Sequence, residues 1–347
     1  MSILKDLEKI GIIPGRELNI EERNYLAKII ANKLSTNVNE LVESYNELYM
    51  RIFNSNMYYA IVDEKFKGVF YFYKNNTIYI DDSKDISNID EYIIHENIHY
   101  LQNFSKITKK NNRAGICQFM EFKIFGLGIN EALVQYITAK ALGNKVHRTS
   151  NDTITICTNS ENYYKYMTSL VAQILFFVGA QEAVESCISS TDKFENELYN
   201  TFEENTDKII KNFDLILNEN NKTDRNENKI LEIYMQTQEL IYTTYFNKNY
   251  KRVTTIKEVG DLVKKLEDYE NVVGKLLNTT SDENNFEKFK DEMENKFLRK
   301  YIEINKNQNK HSLVVVYKNA IYNLWNKIVN FIQKKGNKEN TKYNNIK

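Results

Sequence analysis

A single proline and only 11 glycines in 347 residues leave little to interrupt a helix. Proline removes a backbone donor and clashes with the preceding turn, while glycine surrenders the most backbone entropy there. The chain therefore reads as mainly α, an α+β fold in which apolar residues recur at helical spacing. Asn19 and Glu22 make an Asn-x-x-Glu start signal ahead of Tyr25, Leu26, Ile29, Ile30 and Leu34 on one face. Further helices are expected over 38–53, over 88–104 behind a Ser87-x-x-Asp90 cap, after the Gly126–Gly128 turn, and over 163–178, stopped by Gly179. Strand is expected in one region above all. The aromatic and β-branched runs 68–73 and 77–81, joined by Lys74-Asn75-Asn76, predict a β-hairpin, with shorter strands at 57–62 and 153–157.

A composition that is 42% apolar is ample for a core, and 47 basic against 47 acidic residues give no net charge. That balance argues against a general nucleic-acid binder and against a protein held on anionic lipid. Cys117, Cys157 and Cys187 are odd in number, far apart and without a CxxC pair, so neither a disulfide framework nor a cysteine zinc site is expected, and a reducing compartment is. Residues 1–9 mix charged with apolar side chains and do not read as a secretory signal. The most apolar stretch, 170–180, is about half the ~20 residues a membrane span needs and contains Gln173. The expectation is a cytoplasmic protein with no membrane span, with signal-independent export left open. Its parts read as an N-terminal helical segment (1–56), a core (57–217), a polar linker (218–228), a C-terminal helical region (229–333) and a solvated tail (334–347). The N-terminal helices either belong to the body or cover its cleft. The C-terminal region either walls that cleft or docks a partner.

The chemistry concentrates in His95-Glu96-Asn97-Ile98-His99, which holds two of the four histidines. Residues four apart on a helix lie about 40° apart around the axis and about one turn along it, so both imidazoles can bind one cation from the same side. Glu96 borders that face and can take a proton from a water on the metal. Ile94, Ile98 and Leu101 supply a separate apolar face for anchoring. A catalytic zinc takes a third protein ligand and leaves a fourth position for water. Glu131, in the first turn of the next strong helix, is the candidate, with Asn130 beside it as a helix cap or as a hydrogen-bonding partner behind the ligands. A glutamate there can also serve only to compensate the helix dipole.

His95-Glu96-x-x-His99 followed by Asn130-Glu131-Ala132 resembles the gluzincin zinc metallopeptidases, whose two histidines and downstream glutamate bind Zn²⁺. It is also similar to uncharacterised zincin-like proteins of low-GC Gram-positive bacteria, on Gly128, Asn130, Glu131, Tyr136, Tyr163 and Gly179. The likeness spans roughly 58–202. It implies a zincin-like core with a small sheet before the zinc helix, and hydrolysis of a polypeptide substrate with Glu96 as general base. It also implies a tyrosine to hold the developing oxyanion: Tyr163 first, Tyr136 second, either of which can equally be a packing residue. In such folds an edge strand holds the extended peptide, a part expected of 77–81. The segment 103–126 is longer than the spacing usual in gluzincins, and no third histidine follows closely, the next being His147 in a polar loop. The competing reading is a binding or scaffold protein with a structural metal site. Hydrolysis of a non-peptide amide is a third.

Overall fold

The computed structural model describes residues 3–102, 113–120, 123–277 and 285–308. Helix α1 (Ile3–Lys9) leads into β1 (Ile12–Glu17), followed by α2 (Ile20–Asn37), α3 (Tyr45–Phe53), β2 (Asn56–Val62), β3 (Val69–Phe72) and β4 (Thr77–Asp81). The four strands form one sheet in the order β1-β2-β4-β3, with β2 parallel to β4 and the other pairs antiparallel. Pro14 sits in β1, an edge strand, where a missing donor is tolerated. The expected hairpin is present, and Asn76 takes the positive φ (54°) of its turn.

Side chains alternate across this sheet. Met57, Tyr59, Val69, Tyr71, Ile78 and Ile80 face the main core, while Tyr58, Ala60, Val62, Phe72 and Tyr79 pack with Leu7 and Ile12 on the other side. The edge expected at 77–81 is interior; the hairpin's edge strand is β3, with β1 at the opposite edge of the sheet. Residues 56–60 pair with 77–81 in parallel register, so β4 has a neighbour on both sides.

Helix α2 starts as expected, with the Asn19–Glu22 capping box complete. The next helix begins at Tyr45 rather than 38, because Ser44 and Glu47 form their own capping box. Both α2 and α3 bury residues in the same core as the sheet, and Arg51 of α3 donates to the Leu101 carbonyl at the end of α4 (Glu91–Leu101). The cap of α4 is Asp90, which accepts from the Ile93 N–H. Ser87 instead bonds to Asp85, which moves the start from 88 to 91. Residue 104, the expected end of that helix, lies outside the described residues.

Three short strands, β5 (Arg113–Ala114), β6 (Cys117–Met120) and β7 (Lys123–Phe125), form a small sheet in the segment that follows α4. Then comes α5 (Leu127–Ala141), in which every residue from 128 to 139 except Glu131 is buried. Strands β8 (His147–Ser150) and β9 (Ile154–Thr158) follow. Helix α6 (Lys165–Val178) ends at Gly179, and α7 (Gln181–Ser189), α8 (Lys193–Phe202) and α9 (Thr206–Asn220) add further residues to the main core. The expected 218–228 linker shrinks because Glu219, paired with Lys222 and Lys229, lets α9 run to Asn220, while Asn226 caps α10 (Glu227–Arg252).

Beyond it, α11 (Ile256–Tyr269), β10 (Lys275–Leu276) and α12 (Asn285–Gln308) complete the described chain. Residues 242–304 supply a second apolar core in which Tyr242, Phe246, Tyr269 and Phe286 meet. The strand β10 pairs with β9. The expected tail at 334–347 and the end of the C-terminal region at 309–333 lie outside the described residues. The fold is mainly helical, with small sheets and a helical C-terminal region. Among the described residues no single helix is long and apolar enough to cross a membrane.

Candidate metal centre

On α4, Ile93, Ile94, Ile98 and Leu101 are fully buried in the main core. That anchoring turns His95 and His99, one turn apart, toward the first turn of α5 and its Glu131. The two Nε2 atoms stand 3.1 Å apart. The Glu131 carboxylate spans them, with Oε2 3.3 Å from His95 Nε2 and Oε1 3.3 Å from His99 Nε2. The two imidazoles are nearly shut off from solvent, His95 being 2% and His99 7% exposed, while Glu131 is partly exposed.

These distances suit a cation. Tetrahedral ligands about 2.0–2.2 Å from one ion stand about 3.3 Å from each other. The backs of the rings point the same way. His95 Nδ1 meets Gln135 Oε1 at 3.0 Å, and His99 Nδ1 meets Gln102 Oε1 at 3.1 Å. An amide oxygen only accepts, so each Nδ1 carries a proton and donates it, which is how a metal-ligating imidazole is usually oriented. Both Nε2 lone pairs are thereby directed at the same point between the rings.

Asn130 is not the cap of α5. Its Oδ1 accepts from the Ile116 N–H (3.0 Å) and from Gln102 Nε2 (2.9 Å), so it supports His99 through Gln102. The turn that brings Ile116 there needs a glycine. Gly115 has φ of 57°, and a Cβ on it would lie 2.1 Å from Asn130 Oδ1 and 2.3 Å from Gln102 Nε2.

Without a cation the cluster is an ion pair. Burial works against a charged His99, but the adjoining Glu131 carboxylate prevails and raises its pKa to about 9. For Glu131 the same contest runs the other way: burial pulls the carboxyl up, and the two imidazoles hold it well below the ordinary range. Glu96 is raised, burial outweighing the imidazoles beside it and the Tyr71 N–H, from which its Oε2 accepts at 2.8 Å. The candidate base is thus fastened to the edge strand β3.

Tyr163 lies just before α6 rather than within it. Its ring meets His95 edge-on at 5.6 Å, and its hydroxyl donates to that of Tyr164 at 3.2 Å. Tyr164 occupies the left-handed region (φ 54°), uncommon for a bulky residue. Burial, then the charge of Glu131, raises both phenols. Tyr136 is elsewhere: five residues past Glu131 and about 140° round the helix, it is buried in the main core, and burial followed by the charge of Glu40 pushes its phenol up to about 12. His147 is exposed on β8 and bonds to Glu161. Among the described residues His95, His99 and Glu131 form the one group that could hold a metal ion.

Gln102, Gln135 and Tyr164 are site residues that no motif in the sequence marks. The two glutamines carried a spacing signal, one lying three residues after His99 and the other four after Glu131. The chain matches no family model, no curated protein and no solved structure. The buried His-His-Glu group, which can hold a metal ion, therefore stands on its own geometry.

Proposed function

We propose that this chain is a zinc-dependent peptidase that hydrolyses polypeptide, with His95, His99 and Glu131 holding the metal and Glu96 as general base. The observation that carries the reading is two imidazole nitrogens 3.1 Å apart, each with one oxygen of the Glu131 carboxylate at 3.3 Å, with Glu96 held on the neighbouring strand. Structural zinc sites take four protein ligands, whereas the group among the described residues has three, the number that leaves a place for water or substrate. A divalent cation there supplies Lewis-acid polarisation of a carbonyl and acidifies a water.

The protein's own groups supply the rest. The raised Glu96 is brought nearer to working pH, which suits it to accept a proton from water and pass it to the leaving amine. Because Glu96 accepts from Tyr71 N–H, the base sits at the outer edge of β3, where an extended peptide can add by backbone pairing. Between them, the Tyr163 and Tyr164 hydroxyls use one proton for their mutual bond, leaving the other for a developing oxyanion.

Glu96→Gln keeps the amide–strand geometry and removes the base. It should retain about one zinc per chain, as measured by elemental analysis, while hydrolysis of an unstructured protein falls by about 10²–10⁴-fold. Parent protein prepared without chelator and found free of metal would refute the reading. Metal present in full with no polypeptide ever cut would favour a binding protein with a structural site. Activity confined to small amides would redirect it to that substrate class.

A further inference from the structure

The orientation of His95 is decided one residue further out than its hydrogen bond suggests. Gln135 is fully buried, and its two amide ends look alike in size but not in chemistry. Its Nε2 lies 3.2 Å from Glu91 Oε2 and 2.8 Å from Ser160 Oγ. A carboxylate only accepts. The Ser160 hydroxyl spends its own proton on the Tyr163 carbonyl at 2.7 Å, so toward Gln135 it too accepts. Two acceptors therefore require the NH₂ end of Gln135 to face them, which presents Oε1 to His95 and makes Nδ1 the protonated nitrogen.

We propose that Glu91 is a positioning residue of the metal centre: acting through the Gln135 amide, it locks His95 in the tautomer whose Nε2 lone pair faces His99 and Glu131. The inference rests on the reading of His95 as a metal ligand and assigns Glu91 no contact with metal or substrate. Glu91 lies in the first turn of α4, one turn before His95, so the helix that carries the ligand also carries the group that sets its polarity.

The lock can be broken and rebuilt without changing size. Glu91→Gln puts an amide, which both donates and accepts, where only acceptance was possible, and Gln135 can then turn over. Removing a partner behind a ligand costs about 10–100-fold in metal affinity, and about tenfold weaker Zn²⁺ binding, measured by competition with a chromophoric chelator, is expected for this variant. In the metal-free protein, long-range ¹H–¹⁵N spectra of the histidines should show His95 with part of its proton moved to Nε2.

The exchanged double variant, Glu91→Gln with Gln135→Glu, restores a carboxylate against Nδ1 and should return Zn²⁺ affinity to the parent level or better. A role in packing alone predicts no such recovery. Parent-like affinity and spectra in Glu91→Gln, or an exchanged variant as weak as the single one, would overturn the lock and leave the peptidase reading in place. The expected pattern in a chain that cuts no polypeptide would overturn the peptidase reading alone. A parent that takes up no zinc removes both.

Discussion

His99 and Glu131 share a proton where a cation would lie, so a metal taken up there would compete with that proton and its binding would depend on pH. With its folded pKa raised from 6.5 to about 9, His99 contributes stability that is complete below about pH 6.5 and disappears as pH rises through about 9. Glu131 is lowered from 4.5, so its contribution is present above that value and is lost as pH falls toward the folded pKa. In chelator, the protein should melt highest between about pH 4.5 and 6.5 as far as this pair is concerned, and lose up to about 3 kcal/mol by pH 9 from His99. A metal needs the imidazole deprotonated, so zinc uptake at pH 7–8 should release about one proton and tighten about tenfold per pH unit until about 9. Calorimetry in buffers of different ionisation enthalpy counts that proton. A chelated protein whose melting temperature stays flat from pH 6.5 to 9, with no proton released on zinc binding, would contradict the pairing.

The start of α5, the helix that carries Glu131, is held from behind by α9. Gly126, at the N-cap of α5, offers no side-chain cap; instead Asp214 of α9 accepts from the Gly126 and Gly128 N–H groups at 3.2 and 2.7 Å. Backbone comes close enough for this only because position 128 has no side chain: a Cβ there would lie 2.3 Å from the Phe213 carbonyl carbon and oxygen. Gly128→Ala forces α5 away from α9 three residues before Glu131. It should cost at least the roughly 1–3 kcal/mol of an overpacked core in urea unfolding, and should weaken zinc binding as well. Gly260→Ala is the contrasting case, exposed in the middle of α11 with nothing within 4 Å of the added carbon. It should stabilise by about 0.5–1 kcal/mol with zinc affinity unchanged. Local signals of this kind explain what could be read from the chain alone. His95 and His99 at helical spacing, the Asn19–Glu22 box and the 69–81 hairpin each depend on neighbours within a few residues. The interior place of β4 depends on a parallel partner some twenty residues away, and the choice of Asp90 over Ser87 depends on where the Ile93 N–H falls. The two-residue strands β5 and β10 are too short to show a period. The amides behind the histidines belong to tertiary contacts of helices whose spacing hinted at them without naming their targets.

At the scale of the molecule, α10 runs from the core that carries the His-His-Glu group into the C-terminal lobe. Ile230, Ile233, Tyr234 and Ile241 of α10 lie in the first core, and Tyr242 and Phe246 in the second. Where they meet, buried polar groups form a closed set: the Tyr234 hydroxyl with Ser169, Gln173 and Gln238, the Tyr269 hydroxyl donating to Gln173 Oε1, and the Gln238 amide bonded to both the N–H (2.7 Å) and the carbonyl (2.9 Å) of Gly274. Ser169 and Gln173 belong to α6, the helix that begins at the tyrosine pair beside His95. The lobe is thus fastened to the element that forms one wall of the site. Gln238→Leu fills the space but leaves the Gly274 N–H and carbonyl without partners, at about 1–3 kcal/mol for each buried group. Since the loss falls on the lobe and not on α4 or α5, zinc affinity in water should be unchanged. In urea, hydrogen exchange across α11 and α12 should report opening of the lobe before zinc is released, whereas in the parent the two events should coincide. A variant in which lobe and zinc site still fail together would mean that α10, spanning both cores, makes them one cooperative unit regardless of the polar joint.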